Sequence, residues 1–294
     1  MSLSFSQISL YQACPRQYEF ANVKKIPRSI SAGESFGSSM HNTLAKWGKQ
    51  EMDSGKRIVQ KDQLELFTEK NSVIPALPAG RHSPLSIIHL IDLWHQSFIV
   101  EGYASKTDAD AARKRGEIIM GYVYDWWSTE KRDVVAVEKG FLLEEAGETG
   151  ETRETREAGD SSIASISSIP SIPFSITGRF DRIESIDGGL RVIDFKTSAV
   201  RSQEEVDTDL QLSIYALAAE QVFGLRCVEL VLLFLREDGV TQLRTTRSAA
   251  ELDAARGRIT EAACGITERR FEPTPGRAVC SRCPYRGICD AAAV

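Results

Sequence analysis

The sequence lacks any long apolar run. No stretch approaches the roughly 20 consecutive apolar residues that a membrane-spanning helix needs, and the first residues, MSLSFSQISLYQACPRQ, lack the charged and then apolar segments of a secretory signal peptide. We therefore expect a cytoplasmic protein that does not associate with membranes. A hydrophobic content of 42% and a charged content of 26% are ordinary for a globular domain.

Net positive charge is also absent, since the chain carries a formal net charge of −5. Residues 144–160 hold seven acidic residues against two arginines, and this segment alone accounts for the whole net charge. Residues 14–31, in contrast, hold four basic residues against a single glutamate. The overall charge therefore does not exclude an acidic partner such as nucleic acid.

The chain is predicted to form one α/β domain over residues 1–294, with a helical region at its front. Residues 42–132 form the predicted helical insertion, and the low-complexity residues 144–172 are expected to be a disordered loop. Residues 133–270 form the predicted core, and residues 271–294 a cysteine-rich end. Apolar patterns in the core predict strands at 133–143, 175–186, 190–196, 227–237 and 240–247, and helices at 206–224 and 248–270.

Two charged residues interrupt a buried strand in LRVIDFK, residues 190–196. Asp194 and Lys196 are two positions apart and share a face of the strand, although such a pair alone is most often a surface ion pair. The preceding Asp-Gly-Gly turn predicts a hairpin that brings Asp181 close to Asp194. Because two close carboxylates repel unless a cation lies between them, we predict a Mg²⁺ or Mn²⁺ site with Lys196 beside it.

Three further residues are candidates for the same site. His41 lies near the start of a predicted helix, and Gln211 and Tyr215 lie four residues apart on one face of another helix. Each has a structural alternative, since a lone histidine on an amphipathic helix is usually structural and Tyr215 could belong to the core. These residues carry little information one by one.

Three of the six cysteines form a C-x2-C-x5-C pattern at Cys280, Cys283 and Cys289. The two-residue spacing lets both thiolates face one ion or cluster. A fourth ligand is needed, and Cys14 is the candidate because a proline follows it, as one follows Cys283. The spacing alone favours zinc and an iron–sulfur cluster equally.

In their order along the chain, these segments resemble the iron–sulfur members of the RecB-type branch of the PD-(D/E)XK nuclease superfamily, found in helicase–nuclease subunits and CRISPR-associated exonucleases. The segments are CPRQYEF, GSSMH, GRFDRIE, VIDFKT, QLSIYALA and CSRCPYRGIC, and they extend from residue 14 to residue 289. The resemblance implies a restriction-endonuclease-like α/β core, in which helices flank a mixed central sheet, with a helical N-terminal insertion and a C-terminal iron–sulfur segment. Phe180 stands where the family name expects proline, which removes no ligand.

The resemblance also implies a role for each candidate residue. The implied metal ligands are His41, Asp181, Asp194 and the backbone carbonyl of Phe195. The implied catalytic lysine is Lys196. The resemblance also implies that Gln211 and Tyr215 support the site and contact DNA, and that Glu138 assists from outside the ligand set. The implied ligands of a structural 4Fe-4S cluster are Cys14, Cys280, Cys283 and Cys289.

The implied function is phosphodiester hydrolysis by a single-strand DNA exonuclease that acts in DNA repair, recombination or CRISPR adaptation. No G-x4-G-K-[ST] segment occurs, so unwinding of duplex DNA would need a helicase partner. Two alternatives stay open. One is a non-catalytic module that binds DNA or a partner, and the other is an interaction domain stabilised by zinc.

Overall fold

The computed structural model of the chain describes residues 1–65, 85–129, 132–145 and 174–293. The loop predicted at 144–172 lies almost entirely outside these described residues. The helices are α1 (Phe5–Ala13), α2 (Pro15–Tyr18), a π-helical turn (Glu19–Val23), α3 (Ala32–Glu65), α4 (Ile87–Ser97), α5 (Lys106–Ser128), α6 (Gln203–Asp207), α7 (Leu210–Phe223), α8 (Ala249–Thr267) and α9 (Arg277–Cys280). The strands are β1 (Ser2–Ser4), β2 (Asp133–Glu145), β3 (Phe174–Ile186), β4 (Gly189–Lys196), β5 (Cys227–Arg236) and β6 (Gly239–Thr245).

The strands predicted in the core are confirmed as β2 to β6, but the helix predicted at 206–224 is wrong as a single element. It is two helices, because Asp209 starts a new one, and its side chain accepts a hydrogen bond from the Leu212 N–H at 3.0 Å. Gly224 ends α7 with a φ of 65°, a conformation that glycine adopts without strain. The predicted Asp-Gly-Gly turn joins β3 to β4 as a hairpin, in which Ile186 pairs with Gly189.

The chain divides into two compact units. The first unit comprises residues 1–27, 141–178 and 249–294, and the second comprises residues 28–140 and 179–248. The long strands β2 and β3 contribute residues to both. None of the helices within the described residues is long and apolar enough to cross a membrane.

In the second unit, β3 pairs antiparallel with β4, β4 parallel with β5, and β5 antiparallel with β6, which makes a mixed sheet. Side chains alternate between the two faces of each strand. One face carries Ile193 and Phe195, which pack with helices α3, α4 and α5 in an apolar core that includes Trp47 and Trp94. Burial of this apolar surface is the main stabilising term for such a layer.

The opposite face of this sheet is next to α7. Nine of the ten residues from Leu210 to Ala219 are buried, and the exception is Gln211. A helix that is apolar all round is typical of a buried position. Gln211 is therefore an exception, and it places a polar side chain on the same face as Asp194 and Lys196.

In the first unit, the N-terminal segment is joined to the C-terminal segment. β1 pairs in parallel with residues 175–177 of β3. The Tyr11 hydroxyl donates a hydrogen bond to the Arg270 carbonyl at 2.8 Å, and the Tyr285 hydroxyl donates to the Ile26 carbonyl at 3.1 Å. Tyr18 stacks on Phe271 with ring centroids 6.1 Å apart. Residues near Cys14 are thereby held close to residues near Cys280.

Two glycines of α5 provide a test of packing in the second unit. A Cβ added at Gly116 would overlap the indole of Trp94, whereas one added at Gly121 would have no heavy atom within 4 Å. We expect Gly116→Ala to lower the free energy of unfolding by about 1–3 kcal/mol through overpacking. The matched variant Gly121→Ala should raise it by about 0.5–1 kcal/mol, because alanine favours helix. Urea unfolding of both measures this, and equal effects would contradict the described α4–α5 contact.

Candidate active site

The hairpin β3–β4 places two carboxylates next to each other. Its register pairs Arg182 with Ile193, so that the preceding residue, Asp181, lies beside Asp194. Both are buried, with 8% and 2% of their surface exposed. The Phe195 N–H donates a hydrogen bond to Asp181 Oδ2 at 2.8 Å, which orients this carboxylate. The hairpin therefore brings the two predicted acidic ligands together, as its turn implied.

His41 comes to this pair from α3. Its Nδ1 lies 3.0 Å from Asp181 Oδ1. Burial alone would lower the pKa of His41, but the hydrogen bond and the negative charge of Asp181 outweigh it, and the pKa is raised. The imidazole therefore keeps its proton to a higher pH than an ordinary histidine does.

His41 was expected near the start of its helix, and it lies in the third turn of α3, which runs from Ala32 to Glu65. The helix begins at Ala32 because of a capping box, a local signal that the sequence analysis did not use. The Ser31 hydroxyl accepts a hydrogen bond from the Glu34 N–H at 3.2 Å, and Glu34 Oε2 accepts one from the Ser31 N–H at 2.9 Å.

Glu138 is closer to the site than the sequence suggested. Suitable ligand atoms of His41, Glu138 and Asp181 all lie within 4.8 Å of one another. Glu138 has a φ of 51° in the middle of β2, an uncommon conformation for a residue other than glycine. Such strain is often found at functional sites. Arg179, which the sequence analysis did not single out, donates a hydrogen bond to Glu138 Oε2 at 3.0 Å.

Asp194 is held by a separate set of contacts. Lys196 Nζ lies 2.6 Å from Asp194 Oδ2 and donates a hydrogen bond to Gln211 Oε1 at 2.7 Å. Gln211 Nε2 donates to Asp194 Oδ1 at 3.0 Å. The Tyr215 hydroxyl lies 3.1 Å from the same Asp194 oxygen. Gln211 therefore fixes the position of the Lys196 ammonium relative to the Asp194 carboxylate.

Burial is the main influence on ionisation in this set. It raises the pKa of Asp194, together with the charge of Asp181, although Lys196 opposes the shift. It also raises the pKa of Tyr215 well above its usual value, with Asp194 and Asp181 adding to the effect. Tyr215 therefore stays protonated and acts as a hydrogen-bonding group.

The donors present suit a hard divalent cation. Carboxylate oxygens and one imidazole are ligands that Mg²⁺ and Mn²⁺ accept. Asp194 Oδ2 is buried, and its contact with Lys196 is an ion pair without hydrogen-bond geometry. A buried acceptor of this kind beside the carboxylate of Asp181 suits a metal ligand. His41, Glu138 and Asp181 are the group best placed to hold the ion.

The four predicted cluster cysteines are brought together in the first unit. All six cysteines of the chain are free of disulfides. Cys14, Cys280, Cys283 and Cys289 line one small cavity together with Phe20 and Val279. Burial raises the pKa of Cys283, and the three neighbouring cysteines raise it further. For Cys14, burial acts in the same direction, but hydrogen bonds from Thr274 and from the backbone of α2 outweigh it and lower the pKa.

Comparison with protein families agrees with a nuclease site. A family model for the PD-(D/E)XK nuclease superfamily matches residues 2–290, nearly the whole chain. No curated protein matches the sequence. A solved structure described as "Crystal structure of SSO0001" is 16% identical, with a TM-score of 0.38, over 69% of this chain and 77% of that chain. That similarity is too low to support an argument, so the family model alone carries the assignment.

The metal site can be tested without measuring activity. A ligand that binds only the folded state stabilises it, so we expect Mn²⁺ to raise the melting temperature of the wild type by roughly 2–4 °C. Asp181→Asn removes one ligand charge while keeping the side-chain shape, and the rise should disappear. Asp125→Asn, a change at an exposed residue of α5, is the control and should keep the rise. An unchanged rise in Asp181→Asn would show that the ion binds elsewhere.

Proposed function

Because the chain belongs to the PD-(D/E)XK nuclease superfamily, it is a metal-dependent nuclease, and we propose that it degrades single-stranded DNA as an exonuclease. The observation that carries the proposal is the adjacency of two groups of residues. Lys196, fixed by Gln211, pairs with Asp194, and Asp194 lies beside Asp181 of the candidate metal group. The resemblance to CRISPR-associated exonucleases supports the choice of single-stranded DNA.

The proposed reaction is hydrolysis of a phosphodiester. Water attacks phosphorus, one P–O ester bond breaks, and the leaving oxygen takes up a proton. A divalent cation held by His41, Glu138, Asp181 and Asp194 would supply the Lewis acid that activates the water and balances the charge on the phosphate. Lys196, with 19% of its side chain exposed, can donate hydrogen bonds to a phosphate oxygen as negative charge develops there.

The supporting residues have separate tasks in this proposal. Gln211 keeps the Lys196 ammonium and the Asp194 carboxylate at their observed separation before substrate binds. The Tyr215 hydroxyl also lies 3.1 Å from the Arg179 carbonyl, which links α7 to β3 beside the site. Such preorganisation avoids a reorganisation cost during the reaction. The carbonyl of Phe195 stays a proposed further ligand.

We propose that the four clustered cysteines hold a 4Fe-4S cluster with a structural role. The supporting observation is that Cys14 lines the same cavity as Cys280, Cys283 and Cys289. Their binding would close a loop over most of the chain, so that the free energy of cluster binding would add to the stability of the first unit. A zinc ion at the same four thiolates is the alternative that the ligand spacing leaves open.

The wider role that we propose is DNA repair, recombination or CRISPR adaptation in the cytoplasm. The six free cysteines are consistent with a reducing compartment. Since the sequence has no phosphate-binding G-x4-G-K-[ST] segment, a helicase or a CRISPR-adaptation protein would have to supply opened DNA.

Cleavage of end-labelled single-stranded DNA with Mn²⁺ tests the proposed nuclease. We expect Lys196→Ala to reduce kcat by about 10²–10³-fold, as for the loss of a donor aimed at developing charge. Lys114→Ala, at an exposed residue of α5, is the matched control and should retain full activity. Equal activity of the two variants would exclude Lys196 as the catalytic lysine. Folded wild-type protein that binds but does not cleave DNA would favour the non-catalytic binding module.

The cluster is tested by purification without oxygen. We expect wild-type protein to contain iron and to absorb visible light, and Cys14→Ser to lose both and to melt at a lower temperature, since one ligand is gone. Cys264→Ala, at a buried cysteine of α8, controls for loss of a thiol and should keep its iron. Zinc in place of iron in the wild type would favour the zinc alternative.

A further inference from the structure

A row of charged side chains crosses the sheet of the second unit on the side that faces α3. We name this row the charge ladder, and it consists of Glu51, Arg182, Glu184, Arg191, Glu229 and Arg244. Acid and base alternate along it from α3 through β3, β4 and β5 to β6. Glu51, at one end, lies in α3, and Arg132, just before β2, also pairs with Glu184 at 3.5 Å.

The charge ladder is mostly buried. Arg182 and Glu184 expose 5% and 2% of their side chains. Burial alone would lower the pKa of Arg182, but the hydrogen bonds and charges of Glu51 and Glu184 outweigh it and raise the pKa. Buried ion pairs often contribute little net stability compared with apolar residues, because loss of hydration offsets the attraction. A gain in stability therefore explains this arrangement poorly. The fixed directions of its hydrogen bonds, which can set the position of one element on another, explain it better.

The end of the charge ladder at α3 has a particular geometry. Arg182 donates two hydrogen bonds to Glu51, at 2.7 and 3.1 Å, in a bidentate pair that fixes direction as well as distance. Arg182 follows Asp181 directly in β3. Glu51 follows His41 by ten residues in α3, or about 15 Å along the helix axis. Two consecutive residues of one strand thus contact two distant points of one helix.

Two contact points constrain a helix more than one does. Apolar packing also holds α3 on the sheet, through Met40, Leu44 and Trp47. This packing is non-directional, and it leaves the hydrogen bond between His41 and Asp181 as a single directional contact. A second, bidentate contact far along the axis opposes sliding and rotation of the helix. We propose that Glu51 and Arg182 are positioning residues, which set the register of α3 on β3 and thereby hold the His41 imidazole against Asp181.

This inference rests on the proposed function in one respect, which is the assignment of His41 as a metal ligand. The position of the imidazole can be measured in metal-free protein. The inference and the proposed function can therefore fail separately.

The test compares two glutamates of the same charge ladder. Glu51→Gln weakens the contact between α3 and Arg182, whereas Glu229→Gln weakens contacts with Arg191 and Arg244, which both lie in strands. Three quantities are measured on metal-free or Mn²⁺-titrated protein: the melting temperature, the NMR resonances of the His41 imidazole at fixed pH, and the Kd for Mn²⁺. His41→Ala assigns the resonances.

We expect both variants to melt at a lower temperature, but only Glu51→Gln to shift the His41 resonances. Its Kd for Mn²⁺ should rise by about 10–100-fold, as when a group that orients a metal ligand is lost. The Kd of Glu229→Gln should stay within about twofold of the wild type. If Glu51→Gln does not fold, Arg182→Lys replaces it, because lysine keeps the charge but loses the bidentate fork.

Unchanged His41 resonances in Glu51→Gln would overturn the inference, and so would equal shifts in both variants. If His41→Ala binds Mn²⁺ with the same Kd as the wild type, the result counts against the proposed function but not against this inference. In that case the resonances still decide whether Glu51 positions the imidazole.

Discussion

The structure depends on the burial of two carboxylates side by side. Asp181 and Asp194 lie in adjacent strands with little exposed surface, and like charges repel strongly where water is excluded. Positive charge and hydrogen-bond donors are accordingly arranged around them, from His41, Lys196 and the Phe195 N–H. A divalent cation would continue the same neutralisation. The need to compensate buried negative charge thus connects the architecture to the chemistry.

That need explains why separate segments of the second unit meet at this point. The hairpin supplies the acids, α3 supplies an imidazole, and α7 supplies an amide and a hydroxyl. Each of these segments is held by apolar packing, since the polar groups alone would not offset the cost of ordering them. The contrast between apolar residues that hold a segment and polar residues that form the site is clearest in α7, where Gln211 is a half-exposed polar residue among buried neighbours.

The parts of this site that were predictable are those set by local rules. The two-residue spacing of Asp194 and Lys196 and the Asp-Gly-Gly turn were enough to bring Asp181 into place, because strand pairing is nearly periodic. The position of Glu138 beside His41 and Asp181 was not predictable, since local preference disfavours a φ of 51° inside a strand. The third-turn position of His41 could have been inferred, because the capping residues are local.

The strand β3 has two different faces, and this explains how it serves chemistry and support together. Neighbouring residues of a strand point in opposite directions, so Asp181 faces the candidate metal centre while Arg182 faces the charge ladder. A displacement of β3 therefore moves Asp181 and Arg182 together. Both residues also contact α3. The precision of the site then follows from the rigidity of one backbone segment, which loops could not provide to the same degree.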